Sequence, residues 1–226
     1  MLHTIHKIFA KSEVKQIREG IDQAAWQDGK QSAGGHALLV KNNRQLDEQS
    51  DITLKYGQLI IERLNQHPVF IAAALPKKIS PPKFNQYSDG GYYGPHVDKS
   101  VMFVDQNDYI RTDISATLFL SEPREYQGGE LVIETGYGPE EFKLASGDMI
   151  LYPSSYIHEV RSVTQGARIA AFFWVESFVG SSERRAMLFD LDQSIQRFSC
   201  ELGSQDNEVK KLILLYHNLV RMWAHT

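Results

Sequence analysis

The chain has 226 residues, with 24 Lys plus Arg against 28 Asp plus Glu, a formal net charge of −4, and 42% hydrophobic residues. This composition excludes a disordered chain, lacks the basic excess of a nucleic-acid protein, and leaves enough chain for one sizeable core. One Cys against eight His excludes an internal disulfide and a Cys-rich zinc site, so a transition metal would have to be held by imidazole and carboxylate, donors that suit iron, zinc or manganese.

Met1 to Lys15 lacks the apolar run and small residues of a secretory signal. Apolar stretches such as Ile169 to Val175 fall far short of a membrane span. The expectation is a cytoplasmic protein with no membrane partner.

Residues 1–77 read as a mixed, helix-rich region packing on the core. Ser12 is the expected cap of a helix carrying Val14, Ile17, Ile21 and Ala24. Asp28-Gly29-Lys30 marks a turn, and Ala37 to Val40 a strand. A second helix is expected from Leu46 to Asn65, with Leu46, Leu54, Ile61 and Leu64 on one face and Pro68 soon after its end. Residues 78–178 change character. Short β-type runs (Lys83 to Tyr87, Asp113 to Leu120, Glu130 to Glu134, Glu141 to Leu144, Met149 to Tyr152 and Ile169 to Val175) alternate with turn residues such as Gly128-Gly129, Ser146-Gly147-Asp148 and Gln165-Gly166, a pattern of sandwiches and barrels. Val101 to Ile110 is expected to be a loop over a site mouth, with Asp105, Asn107 and Asp108 in a solvated turn. Residues 179–226 contain no Pro. Leu188, Leu191, Ile195 and Phe198 make one helical stripe; Val209, Leu212, Ile213, Tyr216, Leu219, Val220 and Trp223 make another. Gly203 to Asp206 divides them, giving an αα-hairpin that packs on the barrel or on a twin subunit.

The candidate chemistry begins at His96-Val97-Asp98. On an extended segment residues i and i+2 point to one side, so an imidazole and a carboxylate can converge. Alone the motif is common. His158, after a strand and turn, supplies a second imidazole, and two His with one carboxylate on one face of a metal is the arrangement of non-haem Fe(II) oxygenases. Arg168 enters an apolar strand ten positions later. It is either an edge Arg with its head in water or a fixed guanidinium that forks onto a ligand carboxylate; beside a facial triad, that ligand would be 2-oxoglutarate.

Tyr87 to Asp98 reads Y-x-x-G-x-x-Y-x-x-H-x-D and resembles the metal-binding stretch of prolyl 4-hydroxylase-type 2-oxoglutarate oxygenases. Gly128-Gly129-Glu130-Leu131, Gly147-Asp148 through Tyr152, and His158-Glu159-Val160 with Val163, Gly166, Arg168 and Trp174 resemble the rest of that signature. The flanks, Trp26 to Lys30 with Ala33-Gly34 and the C-terminal helical pair, are similar to the bacterial PKHD-type hydroxylases, the PiuC/YbiX-like group.

The resemblance implies an α+β chain: a double-stranded β-helix (jelly-roll) core, a dioxygenase domain over 78–178, with N-terminal helices and a C-terminal α-helical hairpin. It implies Fe(II) as cofactor with L-ascorbate, and 2-oxoglutarate and O2 as co-substrates. The reaction would couple decarboxylation to succinate and CO2 with hydroxylation of a peptidyl or small-molecule substrate, and some relatives are associated with iron uptake. His96, Asp98 and His158 would hold the metal, and Arg168 would take the distal carboxylate of 2-oxoglutarate. Tyr87 would either donate a further hydrogen bond to the co-substrate or be a core-facing strand Tyr with a satisfied hydroxyl. Asp98 argues against a halogenase, which lacks that carboxylate. Two other functions fit less well: a non-catalytic iron or 2-oxoglutarate sensor, disfavoured by the intact ligand set, and a nucleic-acid repair demethylase, disfavoured by the acidic balance. His3, His6, His36, His67, His217 and His225 have no paired ligand spacing, and Cys200 has no base nearby in sequence. A homo-oligomer through the C-terminal helices fits their apolar stripes.

Overall fold

In the computed structural model, residues 2–32, 39–105 and 108–225 are described. Residues 3–79 supply β1 (His3–Ile5), α1 (Lys11–Ile21), β2 (Trp26–Asp28), β3 (Lys41–Asn42), β4 (Arg44–Leu46), α2 (Asp51–Asn65), α3 (Pro68–Ala74) and β5 (Pro76–Ile79). The β-rich stretch supplies β6 (Lys83–Ser88), β7 (Tyr92–His96), β8 (Val101–Asp105), β9 (Asp108–Arg111), β10 (Ile114–Phe119), β11 (Tyr126–Gly128), β12 (Leu131–Thr135), β13 (Gly138–Phe142), β14 (Met149–Pro153), β15 (His158–Val160) and β16 (Val163–Ser177). Two long helices, α4 (Ser182–Leu202) and α5 (Asn207–Trp223), follow.

Several N-terminal elements differ from expectation. Helix α1 begins before Ser12; Ala10 stands at its cap, and the Glu13 carboxylate reaches back to accept from the Ala10 N–H at 2.7 Å. A Glu at the third helical position can do the work of a capping side chain. Helix α2 begins at Asp51, where Ser50 Oγ accepts from the Thr53 N–H. Leu46 therefore belongs to β4, and the buried face of α2 is Thr53, Gly57, Ile60 and Leu64, with Leu54 half exposed. Pro68 opens α3, as suits a residue whose missing N–H is not needed in a first turn. The strand expected at Ala37 to Val40 lies partly outside the described residues, as do Ala33, Gly34 and His36; pairing starts at Lys41.

Among the described residues the strands form two main sheets. The larger runs β1-β14-β10-β16-β6-β4-β2, with β11 and β5 also on β16; the smaller runs β13-β12-β15-β7-β3. Neighbouring strands in both pair antiparallel, and the two sheets form a jelly roll. The larger sheet is covered on both faces, so β10 reads as a continuous buried run. Ile114, Ala116 and Leu118 of β10, with Met149, Leu151, Ile169, Ala171 and Phe173, pack against α1, α2 and α3. The opposite face, with Phe119, Ile150, Tyr152 and Tyr87, meets Leu131, Ile133 and Val160 of the smaller sheet.

The expected turn at Gln165-Gly166 is part of strand β16. Gly166 adopts φ +71° within it, where a Cβ would lie 2.0 Å from the Glu125 carbonyl oxygen, so only glycine lets the strand continue past β11. The expected loop Val101 to Ile110 is a β8–β9 hairpin; Asp108 pairs with Lys78, and Asn107 lies outside the described residues.

Helix α4 docks through Leu188, Phe189 and Ile195, and through the buried Arg185, which donates to the Val179 and Gly180 carbonyls. Helix α5 lies on α4; Val209 is its buried residue, while Leu214, Leu215 and Met222 are exposed. No helix among the described residues is long and apolar enough to cross a membrane.

Gly147 ties the N-terminal segment to this framework. It adopts φ +91°, and a Cβ there would lie 2.2 Å from the Phe9 carbonyl oxygen. Gly147→Ala is expected to destabilise the fold by about 2–3 kcal/mol, read as a lower midpoint in chemical denaturation. An unchanged midpoint would mean that the Phe9 segment moves aside at no cost.

Candidate functional site

Three side chains converge where β7 and β15 pair. His96 ends β7 and stands opposite His158, the first residue of β15; Asp98 follows just beyond β7. One ligand atom from each of His96, Asp98 and His158 can be chosen so that all lie within 4.8 Å of one another. The His96 Nδ1–H donates to the Gly94 carbonyl at 2.8 Å, and the His158 Nδ1–H to the Tyr156 carbonyl at 3.0 Å. A carbonyl can only accept, so each Nδ1 carries the proton and each Nε2 keeps its lone pair. Burial first, then the neighbouring His158, hold the His96 imidazole well below the ordinary imidazole range, so His96 is neutral at neutral pH. Its ring also stacks on Tyr93, with centroids 3.6 Å apart.

Asp98 is oriented by a serine pair. Ser115 Oγ donates to Asp98 Oδ2 at 2.5 Å, and Ser154 Oγ lies 2.7 Å from Ser115 Oγ. Ser115 has one hydroxyl proton and gives it to the carboxylate, so Ser154 is the donor in the second bond. Asp98 Oδ2 is 3.7 Å from His158 Nε2. This is a two-imidazole, one-carboxylate donor set of the kind that fits Fe(II) and leaves the other metal positions open. Ser115→Ala is expected to weaken metal affinity by about 10–100-fold, measured by titrating Mn(II) into the protein; an unchanged affinity would remove Ser115 from the site.

The three residues open on a cavity of 340 Å³ that Arg168, Tyr87, Met102 and Trp174 also line. Arg168 is 1% exposed, and its Nε, Nη1 and Nη2 have no hydrogen-bond partner. It is no edge residue with its head in water. The guanidinium carbon lies 5.4 Å from the Tyr87 ring centroid and 5.1 Å from that of Phe119, a partial compensation at best. A buried guanidinium without an acceptor is costly, and a carboxylate entering the cavity fits it. Tyr87 is buried beside it; its hydroxyl accepts from Asn85 Nδ2 at 3.4 Å and lies against the Asn43 carboxamide.

The family follows from comparison with known sequences. Residues 82–176 match the 2OG-Fe(II) oxygenase superfamily and residues 183–225 the PKHD-type hydroxylase C-terminal domain. A PKHD-type hydroxylase of Pseudoalteromonas atlantica is 51% identical over 225 residues, covering 99% of each chain. This chain belongs to the PKHD-type hydroxylases. It is an Fe(II)- and 2-oxoglutarate-dependent hydroxylase, a dioxygenase. Solved structures agree in fold. A prolyl-4-hydroxylase from Pseudomonas putida is 17% identical with a TM-score of 0.52, covering 78% of this chain and 92% of its own. HygX from Streptomyces hygroscopicus, with nickel and 2-oxoglutarate bound, is 15% identical with a TM-score of 0.54, covering 79% of this chain and 84% of its own.

The remaining described His residues lie elsewhere. His6 bonds to Asp148, His67 Nδ1 caps α3, and His3 packs edge-on to Phe189. Sequence reasoning missed Ser115, Lys41, Asn43 and Asn85, which line the cavity together with Tyr93, the second tyrosine of the Tyr87 to Asp98 motif. Ser115 and Thr117 did leave a signal: they alternate with Ile114, Ala116 and Leu118, the period-two mark of a strand with one polar-lined face.

Proposed function

We propose that His96, Asp98 and His158 hold Fe(II), that Arg168 binds the distal carboxylate of 2-oxoglutarate, and that the Tyr87 hydroxyl donates to the same co-substrate. One observation carries these roles: the three converging ligands and the partnerless guanidinium of Arg168 face one cavity. The metal, when bound, supplies activation of O2 for C–H hydroxylation as 2-oxoglutarate becomes succinate and CO2. The chain supplies the rest. Ser154 and Ser115 keep Asp98 aimed, the Gly94 and Tyr156 carbonyls fix both imidazoles in the ligating tautomer, and the apolar walls limit water at the reacting centre.

L-ascorbate, which keeps such iron reduced, is the further cofactor we propose, and the cytoplasm the location. Residues 1–77, 78–178 and 179–226 are taken as an N-terminal packing region, the dioxygenase domain and a helical extension. The exposed Leu214, Leu215 and Met222 support self-association through α5, which sedimentation would read as twice the chain mass. A link to iron uptake is supported by the family resemblance alone.

Purified protein given Fe(II), ascorbate, O2 and labelled 2-oxoglutarate is expected to form labelled succinate, and His96→Ala none. Binding of 2-oxoglutarate without succinate at any Fe(II) level would favour a sensor. DNA titrated at physiological salt is expected to show no tight, salt-dependent binding.

A further inference from the structure

Beside Arg168 stands a second orphaned donor. Tyr126, in β11, is 4% exposed, and its hydroxyl has no hydrogen-bond partner among the described residues. Strand β11 runs along β16 with Tyr126 opposite Gly166, two residues before Arg168. The two side chains meet over Gly129. A Cβ built on that glycine would lie 3.0 Å from Tyr126 Cε2 and 3.1 Å from Arg168 Cδ. The phenol ring and the arginine stem therefore share the space that a side chain at 129 would fill. Lys143 secures the tyrosine, with Nζ 4.3 Å from the ring centroid and a 3.0 Å hydrogen bond to the Tyr126 carbonyl.

The hydrogen-bonding groups of this corner are one-sided. A guanidinium only donates. A phenol can accept one of its N–H groups, but the phenol's own proton still needs an acceptor. Arg168 offers none, and its three nitrogens are themselves without partners. Burial pushes the Tyr126 phenol up, with the Arg168 charge opposing, so the hydroxyl keeps its proton at neutral pH. Two adjacent buried side chains thus carry donors, and no acceptor among the described residues meets them. Buried polar groups left in this way call for a ligand that supplies what is missing. A carboxylate supplies it, with two oxygens and no donor of its own.

We propose that Tyr126 is a second binding residue for the distal carboxylate of 2-oxoglutarate: its hydroxyl accepts an N–H from Arg168 and donates its proton to one carboxylate oxygen. This rests on the reading that Arg168 holds that carboxylate. Tyr126 then does two things. It fixes the plane of the guanidinium fork, and it adds a hydrogen bond to a charged acceptor, the stronger kind. A carboxamide in the same corner would bring an NH2 group against donors that cannot accept from it.

The test uses Tyr126→Phe, which removes one oxygen atom and keeps the ring. Protein loaded with Mn(II) is titrated calorimetrically with 2-oxoglutarate and with 2-oxopentanoate, which has the same carbon chain without the distal carboxylate. The variant is expected to lose about 10–100-fold in affinity for 2-oxoglutarate, and to bind 2-oxopentanoate and Mn(II) as the wild type does. An unchanged affinity for 2-oxoglutarate would overturn the proposal. So would an equal loss for both ligands, which is what a tyrosine with a merely structural role would give. Failure of the underlying reading is separate: Arg168→Met would then bind 2-oxoglutarate as tightly as the wild type.

Discussion

Replacing His96 or Asp98 by Ala is expected to lower affinity for Fe(II) by more than about 100-fold, beyond the 10–100-fold typical of partners that only orient a ligand. Succinate formation should fall with it. The reasoning is one of donor count. Among the described residues, His96, Asp98 and His158 are the group of metal-capable side chains whose ligand atoms converge, and removing one leaves two donors. The fold should survive, because His96 ends its strand and Asp98 lies beyond it. Metal content after gel filtration, with circular dichroism as the check on folding, separates loss of metal from loss of structure. His6→Ala is the control: His6 bonds to Asp148 with its side chain mostly exposed and should leave metal content unchanged. Full metal retention in either the His96 or the Asp98 variant would place the metal elsewhere.

The parts of this molecule that were legible in the sequence share a physical origin. His96-x-Asp98 could be read because an extended chain puts i and i+2 on one side, and the β-rich stretch because its turn residues punctuate period-two runs. The errors came from phase and from long-range contact. Starting α2 at Leu46 rather than at the Ser50 cap rotated its expected face, so that Leu54 was placed inwards in place of Gly57 and Ile60. Gly166 looked like a turn because a local signal for positive φ does not say whether a strand can absorb it; β11 alongside decides that. Lys41, Asn43 and Asn85 could not be found from sequence. Lys41 and Asn43 lie where the chain passes from β3 to β4, and Asn85 lies in β6, which pairs with β4, so what they face depends on where that segment crosses between sheets; a Lys or Asn there reads as solvated until the partner strand is known.

Arg168→Met should uncouple stability from co-substrate binding. Leaving a buried guanidinium with no acceptor on any of its three nitrogens costs free energy in the ligand-free protein, and Met occupies similar space along the same stem. The ligand-free variant is therefore expected to melt at or above the wild-type temperature, a sign opposite to that of most buried substitutions. With 2-oxoglutarate the order should reverse. Two charge-assisted hydrogen bonds at about 1.5–3 kcal/mol each are lost, which weakens 2-oxoglutarate binding by roughly 10²–10⁴-fold. At a concentration that gives the wild type about 2.7 kcal/mol of stabilisation, near 100 times its Kd, the variant should gain almost nothing. Thermal melts of both proteins with and without 2-oxoglutarate measure all four quantities. A strongly destabilised ligand-free variant would mean that Arg168 is held by its rings as a structural residue. A variant that still gained the full 2-oxoglutarate shift would mean that the co-substrate carboxylate is bound elsewhere in the cavity.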